Sequence, residues 1–288
     1  MTDLNAWLMA SQNTIRIGCF VFFFLVLASA ESFWTWRQWR GNRWLRWGRH
    51  FGLSLISKIA LRVAFPLLLL ETALEAEKHQ QGILSHTALP FWAKVILGII
   101  ALDVFIYLQH RMMHRFKWFW FCHRVHHVDK HLDVSTGIRF HPFEELISMA
   151  VKLLGVVFWG VPVLGALIFE VLLNFASLFT HVNVRLPKKI EKILRYVIVT
   201  PDMHRIHHSD NPQEYNSNYG FGLSLWDRWF NTYTPAPLTG EKHLNIGQEA
   251  YQAPKYQTLL NMLLLPLNLK TLTPAPPQKV KLWMRWHD

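Results

Sequence analysis

The chain has 288 residues, 51% of them apolar, with 14 Trp and 20 Phe and only 17% charged. That profile is far from a soluble domain of this length and places most of the chain in or against lipid. A formal net charge of +11 calls for an anionic partner, and beside a series of apolar spans that partner is phospholipid rather than nucleic acid.

The first apolar run, residues 15–34, is nearly uncharged and long enough to cross a bilayer. Ala28, Ser29 and Ala30 mimic a signal-peptidase site, but the residues after them argue for a retained span. Arg37, Arg40, Arg43, Arg46 and Arg49 recur at every third position without an acid, mixed with Trp34, Trp36, Trp39, Trp44 and Trp47. Arg and Trp together mark the cytoplasmic interface of a membrane protein. A second span is expected over residues 53–70, where Lys58 and Arg62 snorkel toward the basic side, and it leads into the acidic ETALEAEKHQQG. A third, residues 90–108, delivers the chain into HRMMH. The stretch 146–179 is too long for one crossing and breaks at Gly160, Val161 and Pro162, so it reads as a hairpin of two helices. With the Arg/Trp segment in the cytoplasm, the second span exits, the third returns, and the hairpin leaves and comes back. The histidine groups after the third span and the hairpin then share the cytoplasmic side. Cys19 and Cys122 are the only cysteines, which implies no disulfide framework. No linker, low-complexity tract or internal repeat divides the sequence, so residues 1–288 read as a single membrane-embedded domain.

Eight histidines fall into three groups: HRMMH (His110, His114), HRVHH (His123, His126, His127) and HRIHH (His204, His207, His208). Residues three and four apart share a helix face, so each group is expected to aim its imidazoles in one direction. Neutral imidazole suits iron, zinc, copper and nickel. Eight such ligands are twice what one tetrahedral zinc takes, which makes two metal ions the natural count, each with positions left open. Chance histidines explain a single H-x-x-x-H, but not three groups of which two repeat H-x-x-H-H. The Glu of the H-E-x-x-H zinc hydrolases is missing, and no inward Glu pattern of a carboxylate-bridged bundle accompanies the groups. The site reads as histidine-rich and carboxylate-poor.

Asp103, Tyr107, His110 and His114 are spaced by four, three and four residues, one stripe on a continuous helix. An acid in a span faces a functional interior, so Asp103 is expected to orient an imidazole from behind, with a salt bridge to an Arg as the alternative. Asp202 and Asp227 could act in the same way near HRIHH. A membrane metal carrier is the competing class; it would place its ligands near the bilayer midplane on discontinuous spans, whereas these groups come after spans.

The order H-x-x-x-H, H-x-x-H-H, hydrophobic hairpin, H-x-x-H-H resembles the fatty acid hydroxylase/sterol desaturase superfamily of integral membrane di-iron enzymes. The resemblance covers residues 103–233 and extends to Asp103 and Tyr107 before HRMMH, RFHPFEE (139–145), HVNV (181–184), TPDMHRIHH, NYG (218–220) and WDRWFNTY. It implies an all-α integral membrane bundle of four or five spans, with a helical cytoplasmic cap holding a di-metal site. It implies two iron ions, replaceable by zinc, and dioxygen as co-substrate. The reaction implied is oxidation, foremost hydroxylation, of an unactivated C–H bond in a fatty acyl, alkyl or sterol chain, with desaturation as the alternative outcome. Carried over, the eight clustered histidines are metal ligands and His181 is the ninth. Tyr107 and His141 fall among the residues around the ligands, and His131, a further turn beyond HRVHH, belongs either there or at the surface. Ser177 stands four residues before His181, where an added H-x-x-x-H would have histidine, and Asn231 stands where many relatives have glycine. The sequence shows no nicotinamide, flavin or haem signature. A separate ferredoxin or b-type cytochrome with its reductase is therefore implied as donor, docking on the basic surface. The membrane would be the inner or plasma membrane in a bacterium and the endoplasmic reticulum in a eukaryote.

Overall fold

The computed structural model describes residues 2–39, 41–241 and 243–268, so Arg40 of the Arg/Trp segment lies outside the described residues. Among the described residues the regular elements are helices, joined in three places by isolated bridges between extended residues. In chain order they are α1 (Thr2–Phe33), α2 (Arg43–Ala64), α3 (Leu69–Lys78), α4 (Phe91–Arg115), α5 (Lys117–His127), α6 (Pro142–Trp159) and α7 (Val163–His181). The short helices α8 (Lys188–Leu194), α9 (Pro201–His207), α10 (Pro212–Tyr215), α11 (Leu225–Trp229) and α12 (Leu259–Leu264) come next.

Among the described residues four segments are long and apolar enough to cross a membrane: Asp3–Phe33, Arg43–His86, Phe91–Arg115 and Val163–His181. The run expected over residues 53–70 is not one helix. Pro66 lacks an N–H and pushes the residue before it out of the helical region, so Phe65 is extended (φ −120, ψ 115) and α3 starts afresh at Leu69. The acidic stretch becomes α3, which buries Leu69, Leu70, Ala73 and Ala76. The hairpin forms as expected, with Gly160 closing α6 at φ 69. Its first arm carries Glu144, Glu145 and Lys152 and is not among the four spans, whereas α7 is.

The bundle has two distinct ends. At one, Gly82 and Gly160 meet so closely that a Cβ on Gly82 would lie 2.0 Å from the Gly160 nitrogen. At the other, α1 and α2 meet the end of α7: the Trp36 N–H donates to the Asn183 carbonyl at 2.8 Å. Arg46 donates to Asp133 at 3.1 Å and pairs with Asp129, locking the loop after α5 onto α2. Burial alone would raise the Asp129 carboxyl, but Arg46 and the fully buried Arg139 outweigh it and hold the group below its ordinary range. Between the ends, α1 packs on α7, α2 on α6, and α4 on both α6 and α7. Leu8, Leu70, Leu102, Val156 and Phe169 form the common core. At the second end α9 packs on α7 and α12 on α2, so the short helices gather where the histidines lie.

Candidate metal centre

Helix α4 runs unbroken through HRMMH, so His110 and His114 sit one turn apart on its last turns. After a single extended residue, Phe116, α5 brings back His123, His126 and His127. α7 ends on His181, and α9 supplies His204 and His207, with His208 as its C-cap. Thr200 accepts from the Met203 N–H at the start of α9, and Pro201 occupies its first turn, which sets where that helix begins.

All nine histidines come together, in two buried groups. One is His110, His114, His123, His127 and His207; the other is His126, His181, His204 and His208. The expectation that each sequence group aims in one direction is corrected here. Consecutive residues on a helix are about 100° apart, so the two neighbours in H-x-x-H-H diverge. His127 goes to the first group and His126 to the second; His207 goes to the first and His208 to the second. Each H-x-x-H-H segment therefore contributes to both groups, and HRMMH to the first alone.

Four of the rings are oriented from behind. His110 Nδ1–H donates to the Tyr219 carbonyl at 2.8 Å, His181 to Ser177 at 2.6 Å and His207 to Ser217 at 2.7 Å. His123 Nδ1 lies 2.6 Å from the Glu144 carboxyl, which burial raises well above its ordinary range; with Nε2 on an ion, Nδ1–H would donate to it as a carboxylate. Each such bond fixes the tautomer and leaves the Nε2 lone pair facing inward. Burial pushes His123 down to about 3. Burial, reinforced by neighbouring imidazoles, likewise holds His126, His127, His204, His207 and His208 well below the ordinary value. These rings are neutral at physiological pH, the form that binds metal.

The inward atoms fit a cation better than they fit each other. His181 Nε2 lies 2.9 Å from that of His126, 3.0 Å from that of His204 and 3.1 Å from that of His208. One lone pair cannot serve three neighbours, but an ion among them can accept from all four. Corners about 3.1 Å apart put the centre of a tetrahedron about 1.9 Å from each, close to the roughly 2.0–2.1 Å of a metal–imidazole bond. In the five-membered group, His123 Nε2 is 3.1 Å from those of both His110 and His127. His207 Nε2 and both nitrogens of His114 are buried without a hydrogen-bond partner among the described residues. Nine neutral imidazoles suit iron, zinc or copper rather than magnesium or calcium.

The residues expected around the ligands are placed differently. Asp103 touches no imidazole: it accepts from the N–H groups of Gly222 (3.2 Å) and Leu223 (3.0 Å) and from Trp226 Nε1 (2.7 Å). Its role is to pin the segment that carries Tyr219, because the carboxylate finds three donors there and bonds no imidazole among the described residues. Tyr107 bonds Thr232 at 2.8 Å and stacks on Phe230, also on that segment. Asp227 comes nearer. It accepts from Tyr219 N–H at 2.8 Å and Gly220 N–H at 2.7 Å, and so positions the carbonyl that receives His110. Burial raises its carboxyl to about 6 against those bonds. Asp202 pairs with Arg205, which donates to the Val182 carbonyl at 3.1 Å and ties α9 to the end of α7. His131 is half-buried against Trp39, and His141 caps α6 by accepting from the Phe143 N–H; neither belongs to a histidine group. Asn231 has φ 55, in the left-handed region that glycine favours and asparagine tolerates, so asparagine can stand where glycine was expected.

Glu144 is the residue that sequence reasoning missed. Among the described residues a single buried carboxylate reaches the grouped histidines, without a repeated inward Glu pattern. Its signal was its place three residues after the cap in RFHPFEE.

A cavity of about 450 Å³ opens onto this centre. Near the histidines its walls include Ile106, Met113, Phe140 and Phe221, and of the nine histidines it meets His110 and His123.

Residues 95–232 match the fatty acid hydroxylase family. The chain is 30% identical over 157 residues to the ornithine lipid hydroxylase OlsE of Rhizobium tropici, covering 54% of this chain and 46% of that one. It is 28% identical over 142 residues to the alkylglycerol monooxygenase of Danio rerio (48% and 30%) and 30% identical over 131 residues to that of Caenorhabditis elegans (46% and 25%). The matched part thus spans less than half the length of these curated relatives. No solved structure matches significantly.

Proposed function

From a chain that carries a fatty acid hydroxylase domain over residues 95–232, we propose a single-domain membrane enzyme that hydroxylates an unactivated C–H bond of a lipid with two iron ions and dioxygen. The observation that supports it most is the cavity that meets the five-histidine group, because it gives an apolar chain a path to two buried imidazole clusters. When bound, the irons supply the reduction of dioxygen by two external electrons and two protons, which turns C–H into C–OH and releases water.

The chain's own residues hold, orient and exclude. His110, His114, His123, His127 and His207 would hold one ion; His126, His181, His204 and His208 would hold the other. Glu144 and the carbonyls of Ser177, Ser217 and Tyr219 keep the inward nitrogens unprotonated. Ile106, Met113, Phe140 and Phe221 keep water from the reacting carbon and align the chain. Because the cavity meets His110 and His123, the C–H bond approaches the five-histidine ion. The histidine end lies on the cytoplasmic side, as the Arg/Trp segment at the same end indicates, and a separate ferredoxin or b-type cytochrome delivers electrons there.

The test is reconstitution of the full chain with iron and a reduced donor in lipid. About two metal ions per chain, dioxygen uptake and a lipid product heavier by one oxygen are expected. Loss of two hydrogens instead would make the enzyme a desaturase. Absence of dioxygen uptake with metal bound would favour a carrier and overturn the proposal, as would full activity with one ion.

A further inference from the structure

Away from the histidines, the walls of the same cavity are charged. They carry Arg16 of α1, Lys58 and Arg62 of α2, Glu145 and Lys152 of α6, and Glu170 of α7. Glu170 pairs with Arg16 at 3.2 Å and Glu145 with Lys58 at 3.2 Å. Two cations remain. Arg62 is exposed, whereas Lys152 is 8% exposed and feels the carboxylates of Glu170 and Glu145 without a hydrogen bond or close ion pair to either among the described residues. Beyond the Glu144 that holds His123, four cations therefore face two carboxylates.

Such an excess is costly between apolar helices unless an anion meets it. Lys58 and Arg62 can reach outward along their stems, but Lys152 sits in the middle of α6 and lines the cavity. It stands eight residues beyond Glu144 on one helix, about 12 Å along the axis at 1.5 Å per residue. The cavity thus offers, at one place, a Lys152 ammonium that shares Glu145 and Glu170 with Lys58 and Arg16, and His110 and His123 at another, with Leu61, Ile106, Met149 and Leu173 among the apolar walls.

Resting on the lipid-oxidising reading of the site, we propose that this cluster is a headgroup site selecting substrates with an acidic head, a carboxylate or a phosphate. Lys152, with Arg16 and Lys58 near it, receives the acid, and the apolar chain runs to the histidines. The carbon oxidised is then set back from the acid by a fixed length of chain.

The test uses metal-free full-length protein in phosphatidylcholine nanodiscs, so its outcome is separate from that of the oxidation assay. Retained radiolabelled oleate is displaced with unlabelled oleate, oleyl alcohol, dioleoyl phosphatidate or dioleoylglycerol. An acid should compete about tenfold or more better than its neutral counterpart. Oleate ahead of phosphatidate indicates a free acid, and the reverse indicates a phospholipid head. Lys152→Gln should abolish the preference and Lys152→Arg restore it. If Lys152→Gln does not fold, Glu170→Gln decides, because weakening the hold on Arg16 should tighten oleate binding several-fold. Equal competition by acid and neutral counterpart, or unchanged preference in these variants, overturns the proposal.

Discussion

Glu144→Ala separates the two histidine groups. In the iron-loaded protein the Glu144 carboxylate would accept from His123 Nδ1–H across the 2.6 Å between them, with Glu144 5% and His123 2% exposed. A hydrogen bond to a charged partner contributes about 1.5–3 kcal/mol, and a buried donor left alone costs about 1–3 kcal/mol. Roughly 1.4 kcal/mol is a factor of ten, so the five-histidine group should lose about 10- to 100-fold in metal affinity. Water admitted from the cavity beside Glu144 would move the loss toward the lower limit. The four-histidine group does not include His123 and keeps its own tether from His181 to Ser177, so its affinity should hold. Glu144→Gln keeps an acceptor oxygen without the charge and should fall between. The measurement is metal per chain during chelator titration of iron-loaded protein: two ions should fall to one under conditions that leave the native protein full. Unchanged chelator resistance would refute the tether. Parallel loss of both ions would refute the division into two groups.

Gly137→Ala should do the opposite, since a Cβ there would lie 2.5 Å from the Ser177 carbonyl that receives His181. Chelator should remove the four-histidine ion first, about tenfold more easily; retention of both ions at native affinity would contradict this. Burial holds His123 down to about 3, and its neighbours outside the spans also lie below the unfolded value of about 6.5. As pH falls, the unfolded chain therefore takes up protons first. Metal-free protein should keep full stability above about pH 6.5 and lose up to about 1.4 kcal/mol per pH unit per histidine below it. A Tm that stays level between pH 7.5 and 5.5 would exclude the neutral buried cluster. Asp103→Asn turns an amide N–H2 toward one of three donors and should cost about 1–3 kcal/mol of stability while two ions remain bound. A metal count that falls in step with Tm would show that Asp103 acts on the ligands after all. Cysteines placed at Asn42 and Asn211 should resist labelling from outside intact cells, and labelling of either overturns the cytoplasmic assignment.

The spans were legible because apolar runs, the Arg/Trp segment and Gly160 act locally. Hydropathy averages across Pro66 and makes the second span look continuous, whereas a single missing N–H decides where α2 stops. Lys58 has the position of a snorkelling side chain, yet its partner is Glu145 on α6. Which residue lies across a helix interface depends on packing, and no spacing within α2 encodes it.

In the site, legibility followed chemistry. Imidazole clusters announce metal by residue type alone, so the eight grouped histidines stood out and the superfamily resemblance added His181. Their division into five and four did not stand out, because spacing alone counts the i+3 and i+4 positions as one face although they differ by about 100°. The supports were harder still. Ser177, Ser217 and Tyr219 hold rings through main-chain carbonyls, for which any residue type would serve, so no side chain betrays them. Glu144 does have a telling side chain, but an acid in the first turn of a helix is already explained by the positive end of the helix dipole. Asp103 was conspicuous for the reverse reason. An acid within a span invites a partner, and the nearest histidine on its stripe looked like one, until the fold brought three donors of the 222–226 segment closer. Side chains with the chemistry to hold an ion are therefore readable from identity and spacing, while the groups that aim them are assigned by tertiary contact.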